Sequence, residues 1–202
     1  MEKPARRVDR RIARTRQLLQ QAFLEVAQEK SFAAITVQDI AERANVNRGT
    51  FYAHFEDKYA LFDTIIREDF RQLLARRVPP AAGRDRQQLE ALAQTVLDYF
   101  KGLQCNCHPP DVVAPLIERA TLDELTGVLL TWLRQSQPSL ARPAIPLETV
   151  ARMISWSIFG VAAQWSQEPS TQTSAELARD LVQVLMGGIG QLVAPVPSPS
   201  PA

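Results

Sequence analysis

Cysteine is scarce in this sequence. Only Cys105 and Cys107 occur in 202 residues, too few for a disulfide scaffold, so a reducing compartment is the simpler setting. Histidine is as rare, with His54 and His108 alone. No G-x-S-x-G, H-E-x-x-H or glycine-rich phosphate loop is present, so no enzyme class finds its nucleophile, base or phosphate cradle. No stretch reaches 18 uncharged apolar residues, so no membrane span is expected. The opening MEKPARRVDRRIARTR lacks the apolar segment of a secretory leader, and Glu2 and Asp9 count against a transit peptide. A cytoplasmic protein is the expectation, without a cofactor. Strand-like alternation of useful length and internal repeats are also missing.

Net charge is small as well. There are 23 basic and 22 acidic residues, for a total of +1, which argues against a polyanion-coating tail. The distribution says more than the sum. Residues 1–77 carry a net +4 and residues 78–202 a net −3, and the first 16 residues alone reach +5. A basic front is thus joined to an acidic back, which fits either a solvated helix start or a polyanion footprint.

What is present is helical rhythm, and the chain reads as all-α. Leu19, Ala22, Phe23, Val26 and Ala27 make one apolar stripe of a helix spanning about 10–30. Val37, Ile40, Ala41 and Ala44 predict a short second helix, with Thr36 as N-cap and Asp39 in a capping-box position. Asn45-Val46-Asn47 breaks the pattern, and Asn47 can cap a third helix running to about His54. A longer helix follows the acidic pair Glu56-Asp57 and carries Leu61, Phe62, Ile65, Ile66, Phe70 and Leu73. Val78-Pro79-Pro80-Ala81-Ala82-Gly83 is a helix breaker and the best linker candidate. Beyond it, helices are expected near 85–103, 110–118, 121–136, 147–167 and 174–193. The tail PVPSPSPA is expected to be disordered. The domains are therefore 10–70 and 85–193, with 194–202 as tail.

The stretch TVQDIAERANVNRGTFYAHF, Thr36 to Phe55, is the informative one. Two short helices joined by a tight break have the form of a helix-turn-helix. Phe51 and Phe55, four apart, should face inward. Arg48, Gly49, Thr50, Tyr52 and His54 are left for the other face. That face offers donors and a close backbone approach to a groove of phosphates and base edges. Lys58 adds a cation at the start of the next helix, where amides would also meet a phosphate.

Residues 10–70, centred on TVQDIAERANVNRGTFYAHFEDKYALF, resemble the N-terminal DNA-binding domain of the TetR family of bacterial transcriptional regulators. The match runs through the T-V-x-x-I-A pair, the A-x-V-x-x-G-T-F-Y-x-H-F segment and the following D-K-x-x-L-F. The resemblance implies a recognition helix bearing Asn47, Arg48, Gly49, Thr50, Tyr52 and His54, with Thr36 and Lys58 on the DNA backbone. Arg48 is the candidate for direct base reading. The basic N-terminus resembles the arms that some members lay along the minor groove.

The back half is expected to dimerise and bind a ligand. Val150 to Trp165 is apolar nearly all round, so it should be buried on all sides, within a core or across subunits. The resemblance implies a homodimer formed by the last two helices. It would act on a pseudo-palindromic operator as a ligand-released repressor. Tyr99, Leu103, Leu116, Ile117, Trp132 and Gln164 are the candidate pocket residues, and the low charge of these helices favours a small lipophilic effector. Cys105-Asn106-Cys107-His108 reads first as an ordinary loop, with a metal site or a redox response through Cys105, Cys107 and His108 as the alternatives. A protein-binding adaptor without an operator is the remaining alternative.

Overall fold

The computed structural model describes residues 5–78, 86–106, 113–136 and 145–187, and among these no strand occurs. Eight α-helices lie in the described residues: α1 (Ala5–Glu29), α2 (Val37–Arg43), α3 (Arg48–Tyr52), α4 (Lys58–Arg77), α5 (Arg86–Asn106), α6 (Ala114–Ser136), α7 (Leu147–Gln167) and α8 (Ser174–Gly187). The all-α expectation holds. So does a helical head followed by a helical second part, although the chain divides into two compact units at slightly different places. One unit comprises 1–69 with 110–120, and the other comprises 70–109 with 121–202.

The first unit is built around Leu19, Ala22, Phe23 and Val26 of α1, closed by Ile35, Ile40, Phe51, Phe55 and Leu61. Phe23, Phe32 and Phe62 meet edge-on or tilted, with ring centroids 5.3–6.1 Å apart. Such rings bury much area per residue, so a head of modest length closes a core without disulfides. Arg43 of α2 ties back to α1. Its Nη2 donates to both carboxylate oxygens of Glu29 at 2.8 Å, and its Nη1 lies 3.6 Å from Glu25. These are exposed pairs that add register more than stability.

In the second unit α5 is the central helix and packs against α7 and α8. Leu92, Ala93, Val96 and Leu97 are fully buried and meet Leu125, Ala151, Ile158, Ala162 and Val182. Small residues at 93, 151 and 162 let the backbones approach. Two buried hydroxyls bond to the preceding turn of their own helix. Thr95 donates to Ala91 O at 2.7 Å and Ser155 to Ala151 O at 2.8 Å, and Thr126 of α6 donates to Ser155 at 3.1 Å. α8 starts on a capping box in which Thr173 and Glu176 exchange hydrogen bonds of 2.8–3.2 Å.

Two sequence expectations need correction. The segments 110–118 and 121–136 are one helix from Ala114 to Ser136, because Glu118-Arg119-Ala120-Thr121 contains no breaker. A 3₁₀ turn, Phe32–Ala34, lies between α1 and α2, where the sequence pattern showed only a gap. Within its own chain α7 is buried on one side only. Ala151, Ser155, Ile158, Phe159 and Ala162 face inward, while Met153 and Trp156 are 62% and 54% exposed. The helix is apolar nearly all round, yet its own chain leaves Met153 and Trp156 uncovered. Residues of the tail, the 79–85 linker and the last turn expected for α8 lie outside the described residues.

Candidate nucleic-acid interface

The turn that sets α3 against α2 follows from three residues. Ala44 caps α2, and Asn45 takes a left-handed conformation, φ 52°. Asn45 N–H donates to Glu42 O at 3.0 Å and Val46 N–H to Ala41 O at 3.0 Å. This is a Schellman arrangement, and asparagine tolerates the left-handed position better than any residue but glycine. Val46 then packs on the head's core, and Asn47 immediately starts α3 as its N-cap, accepting from Gly49 N–H at 2.8 Å. The break thus spends only Asn45 and Val46 between two caps, which fixes the angle of α3 tightly.

α3 is five residues long and could not stand alone, so packing must hold it. Phe51 is completely buried and Phe55 nearly so, their rings 6.0 Å apart. Arg16 of α1 lies 4.8 Å over the Phe55 ring. With that face anchored, Asn47, Arg48, Gly49 and Tyr52 are exposed, and Thr50 and His54 are half-buried. Arg48 Nη2 donates to Tyr52 Oη at 3.2 Å, and its guanidinium is 5.6 Å from the ring centroid. The phenol therefore steadies the guanidinium one helical turn away and reduces the rotamer entropy that any ligand contact would otherwise cost. A Cβ added to Gly49 would meet only Asn47 Oδ1, at 3.5 Å, which is ordinary contact. Internal packing does not require glycine there.

Thr36 stands at the other end of the helix pair, exposed and capping α2. Its hydroxyl accepts from Asp39 N–H at 3.1 Å and donates to Asp39 Oδ2 at 2.8 Å, and its N–H donates to Asp39 Oδ2 at 2.9 Å. Lys30 Nζ donates to Asp39 Oδ1 at 2.7 Å, and this bond, then those from Thr36, hold the Asp39 carboxyl down to about 2. A depressed carboxyl stabilises the fold when ionised. The contribution is therefore complete above the ordinary carboxylate range and disappears as pH falls from about 4 through 2.

Lys58 is placed differently from the others. Its ammonium donates to Phe32 O at 2.8 Å, Ala33 O at 3.2 Å and Ile35 O at 2.8 Å, and it lies 5.0 Å from the Phe32 ring centroid. All three donors close the 3₁₀ turn, whose carbonyls have few other partners, and the side chain is half-buried. Arg48, Gly49 and Tyr52 are exposed and Thr50 and His54 half-buried, whereas the Lys58 ammonium is occupied by three carbonyls. Lys58→Ala should cost about 2 kcal/mol of head stability, the worth of hydrogen bonds to a charged group. Denaturant midpoints would show it, with the salt slope of DNA binding unchanged for folded molecules. An unchanged midpoint and a shallower slope would assign the ammonium to a phosphate instead. No sequence signal pointed to this role, because the turn it closes was itself unread.

The expected pocket residues fall in both units. Tyr99 and Leu103 line a cleft in the second unit. Trp132 is half-buried against that unit's core. Gln164 is exposed and donates to Glu168 at 3.2 Å. Leu116 and Ile117 fall in the first unit, half-buried and buried respectively. Cys105 lies in the last turn of α5 with its side chain outside the description, and Cys107 and His108 lie outside the described residues altogether. Among the described residues no group of three or more His, Cys, Asp or Glu is placed to hold a metal. No described helix is long and apolar enough to cross a membrane.

Residues 19–65 match the family model of the bacterial regulatory proteins of the tetR family. The HTH-type transcriptional regulator YxbF of Bacillus subtilis is 41% identical over 70 residues, which are 34% of this chain and 18% of YxbF. The chain thus aligns with less than a fifth of that relative. Among solved structures, a TetR transcriptional regulator from Streptococcus agalactiae superposes with a TM-score of 0.54 at 23% identity, covering 90% of this chain and 99% of its own. FadR of Bacillus subtilis in complex with stearoyl-CoA gives 0.51 at 18% identity, over 86% and 98% of the two chains.

Proposed function

We propose that the chain, whose residues 19–65 match the family model of the tetR family of bacterial regulatory proteins, is a cytoplasmic, ligand-released repressor that binds a pseudo-palindromic operator as a homodimer. The observation that carries this reading is the exposed face of α3. A buried Phe51 anchors a helix whose other side offers a pre-set guanidinium, a hydroxyl, a phenol and an imidazole around a glycine that packing does not need. The basic start of α1, with Arg10, Arg11 and Arg14 exposed, extends the same charge.

Arg48 would read a base and Tyr52 would hold it for that purpose. Arg48→Ala is expected to cost about 1–3 kcal/mol at each half-site and to relax preference at one base position. Binding to selected and to scrambled duplexes, measured by fluorescence anisotropy, checks both. An equal loss on the two duplexes would demote Arg48 to a backbone contact. Gly49→Ala separates fold from function differently. It should leave thermal stability unchanged or raise it by up to about 1 kcal/mol, while weakening DNA binding, because the added methyl group stands where the groove wall would come. Unaltered DNA affinity in that variant would mean that the α3 backbone keeps its distance.

The dimer is supported by the uncovered stripe of α7, where Met153, Trp156 and Gly160 follow at helical spacing, and by exposed Val184 and Met186 on α8. A symmetric pairing of these helices would cover apolar area that one chain leaves in water and would present two α3 helices to successive major grooves. An effector in the second unit would change their separation. That FadR of Bacillus subtilis, of this fold, is in complex with stearoyl-CoA supports the ligand-responsive part of this reading.

A further inference from the structure

The second unit contains a cleft of about 300 Å³ between α4 and α5, lined by Leu73 and Arg77 of α4 and by Thr95, Asp98, Tyr99, Gly102 and Leu103 of α5. That volume lies at the lower end of small-molecule sites. Its walls are apolar where Leu73, Tyr99 and Leu103 face it. Its charges cancel, since Arg77 Nη1 donates to Asp98 Oδ2 at 3.1 Å. Thr95 is 3% exposed and its hydroxyl hydrogen is already given to Ala91 O, so towards the cleft that oxygen can only accept. Gly102 points the same way. It sits inside a 21-residue helix, where glycine is costly relative to alanine, and no atom lies within 4 Å of where its Cβ would be. Packing does not ask for glycine at 102, and the open cleft does.

We infer that this cleft binds a small uncharged amphiphile, an aliphatic or aromatic body ending in a hydroxyl that donates to Thr95 or Asp98. A carboxylate would have to displace Asp98 from Arg77 or lie beside it, and an ammonium would meet the Arg77 guanidinium, so either charge is penalised in a partly desolvated site. This deepens the ligand-responsive reading by naming the effector class. The binding itself is tested without DNA, so its failure and the failure of the repressor reading are separately visible.

Isothermal titration calorimetry of the full-length chain with 1-octanol, octanoate and octylammonium is the test. One saturable octanol site per chain is expected, with the two ions weaker by at least about tenfold. Gly102→Leu, which fills the cleft with its own side chain, should abolish octanol binding without lowering the melting temperature. Asp98→Asn, which leaves Arg77 without its carboxylate, should raise octanoate affinity by about tenfold or more. If Gly102→Leu does not fold, the gain of octanoate affinity in Asp98→Asn decides. Absent octanol binding, octanol binding undiminished in folded Gly102→Leu, or octanoate equal to octanol in the unmodified chain would each overturn the proposal.

Discussion

Truncating Phe51 to alanine should unfold the head and abolish DNA binding, at a cost of about 3–5 kcal/mol. Phe51 has no exposure, and its ring lies 6.0 Å from Phe55 and 5.6 Å from Tyr52. It is the one buried residue of a five-residue helix and so its main anchor on the head's core. Domain stabilities are typically about 5–15 kcal/mol, and a loss of this size consumes much of that in a head whose core is small. The second unit has its own cluster, centred on Leu92, Val96, Leu97 and Ile158, and should keep its structure. Hydrogen exchange on the full chain would then show lost protection across α1–α3 and retained protection in α5, α7 and α8. Retained protection of α3 would mean that the helix is held by something other than this ring.

The second large effect is expected from Trp156→Glu. The indole is 54% exposed and lies one turn from Gly160, around which no atom lies within 4 Å of a would-be Cβ. In the proposed dimer a second α7 would fill that space, and a carboxylate at 156 would be buried without a partner, opposite its symmetry mate. Sedimentation should change from dimer to monomer at micromolar concentration. Operator affinity should fall by about 10²–10⁴, the avidity of two linked half-site contacts. The monomer's helix content should be unaffected, because the side chain contributes little to its own chain's core. A dimer that persists in this variant would place the subunit contact elsewhere.

Legibility in the sequence followed the range of the forces involved. The capping box at Thr36 and Asp39, the Asn45 turn, the Asn47 cap and the inward Phe51/Phe55 pair are all local. Each was readable from spacing, and each is found in place. Lys58 was read as a cation at a helix start, but its partners are carbonyls 23 to 26 residues away, and no periodicity records such a contact. Likewise, the apolar run of α7 announces burial without saying which chain supplies it. Tyr99 and Leu103 of the cleft are among the pocket residues expected from the sequence. Arg77, Asp98 and Thr95 are not, because a salt bridge between two helices leaves no pattern in either. The glycine at 102, inside a good helix and serving no turn, was the one available hint.

The most direct test is selection of duplexes from a randomised pool by the full-length protein, followed by the mass of the bound complex. The expected result is an inverted repeat whose half-site centres lie about 34–36 Å apart or a multiple of that, occupied by two chains and losing preference at one position per half-site in Arg48→Ala. No enriched sequence, or a single asymmetric site holding one chain, would contradict the assignment of α3 as a recognition helix working in a symmetric pair.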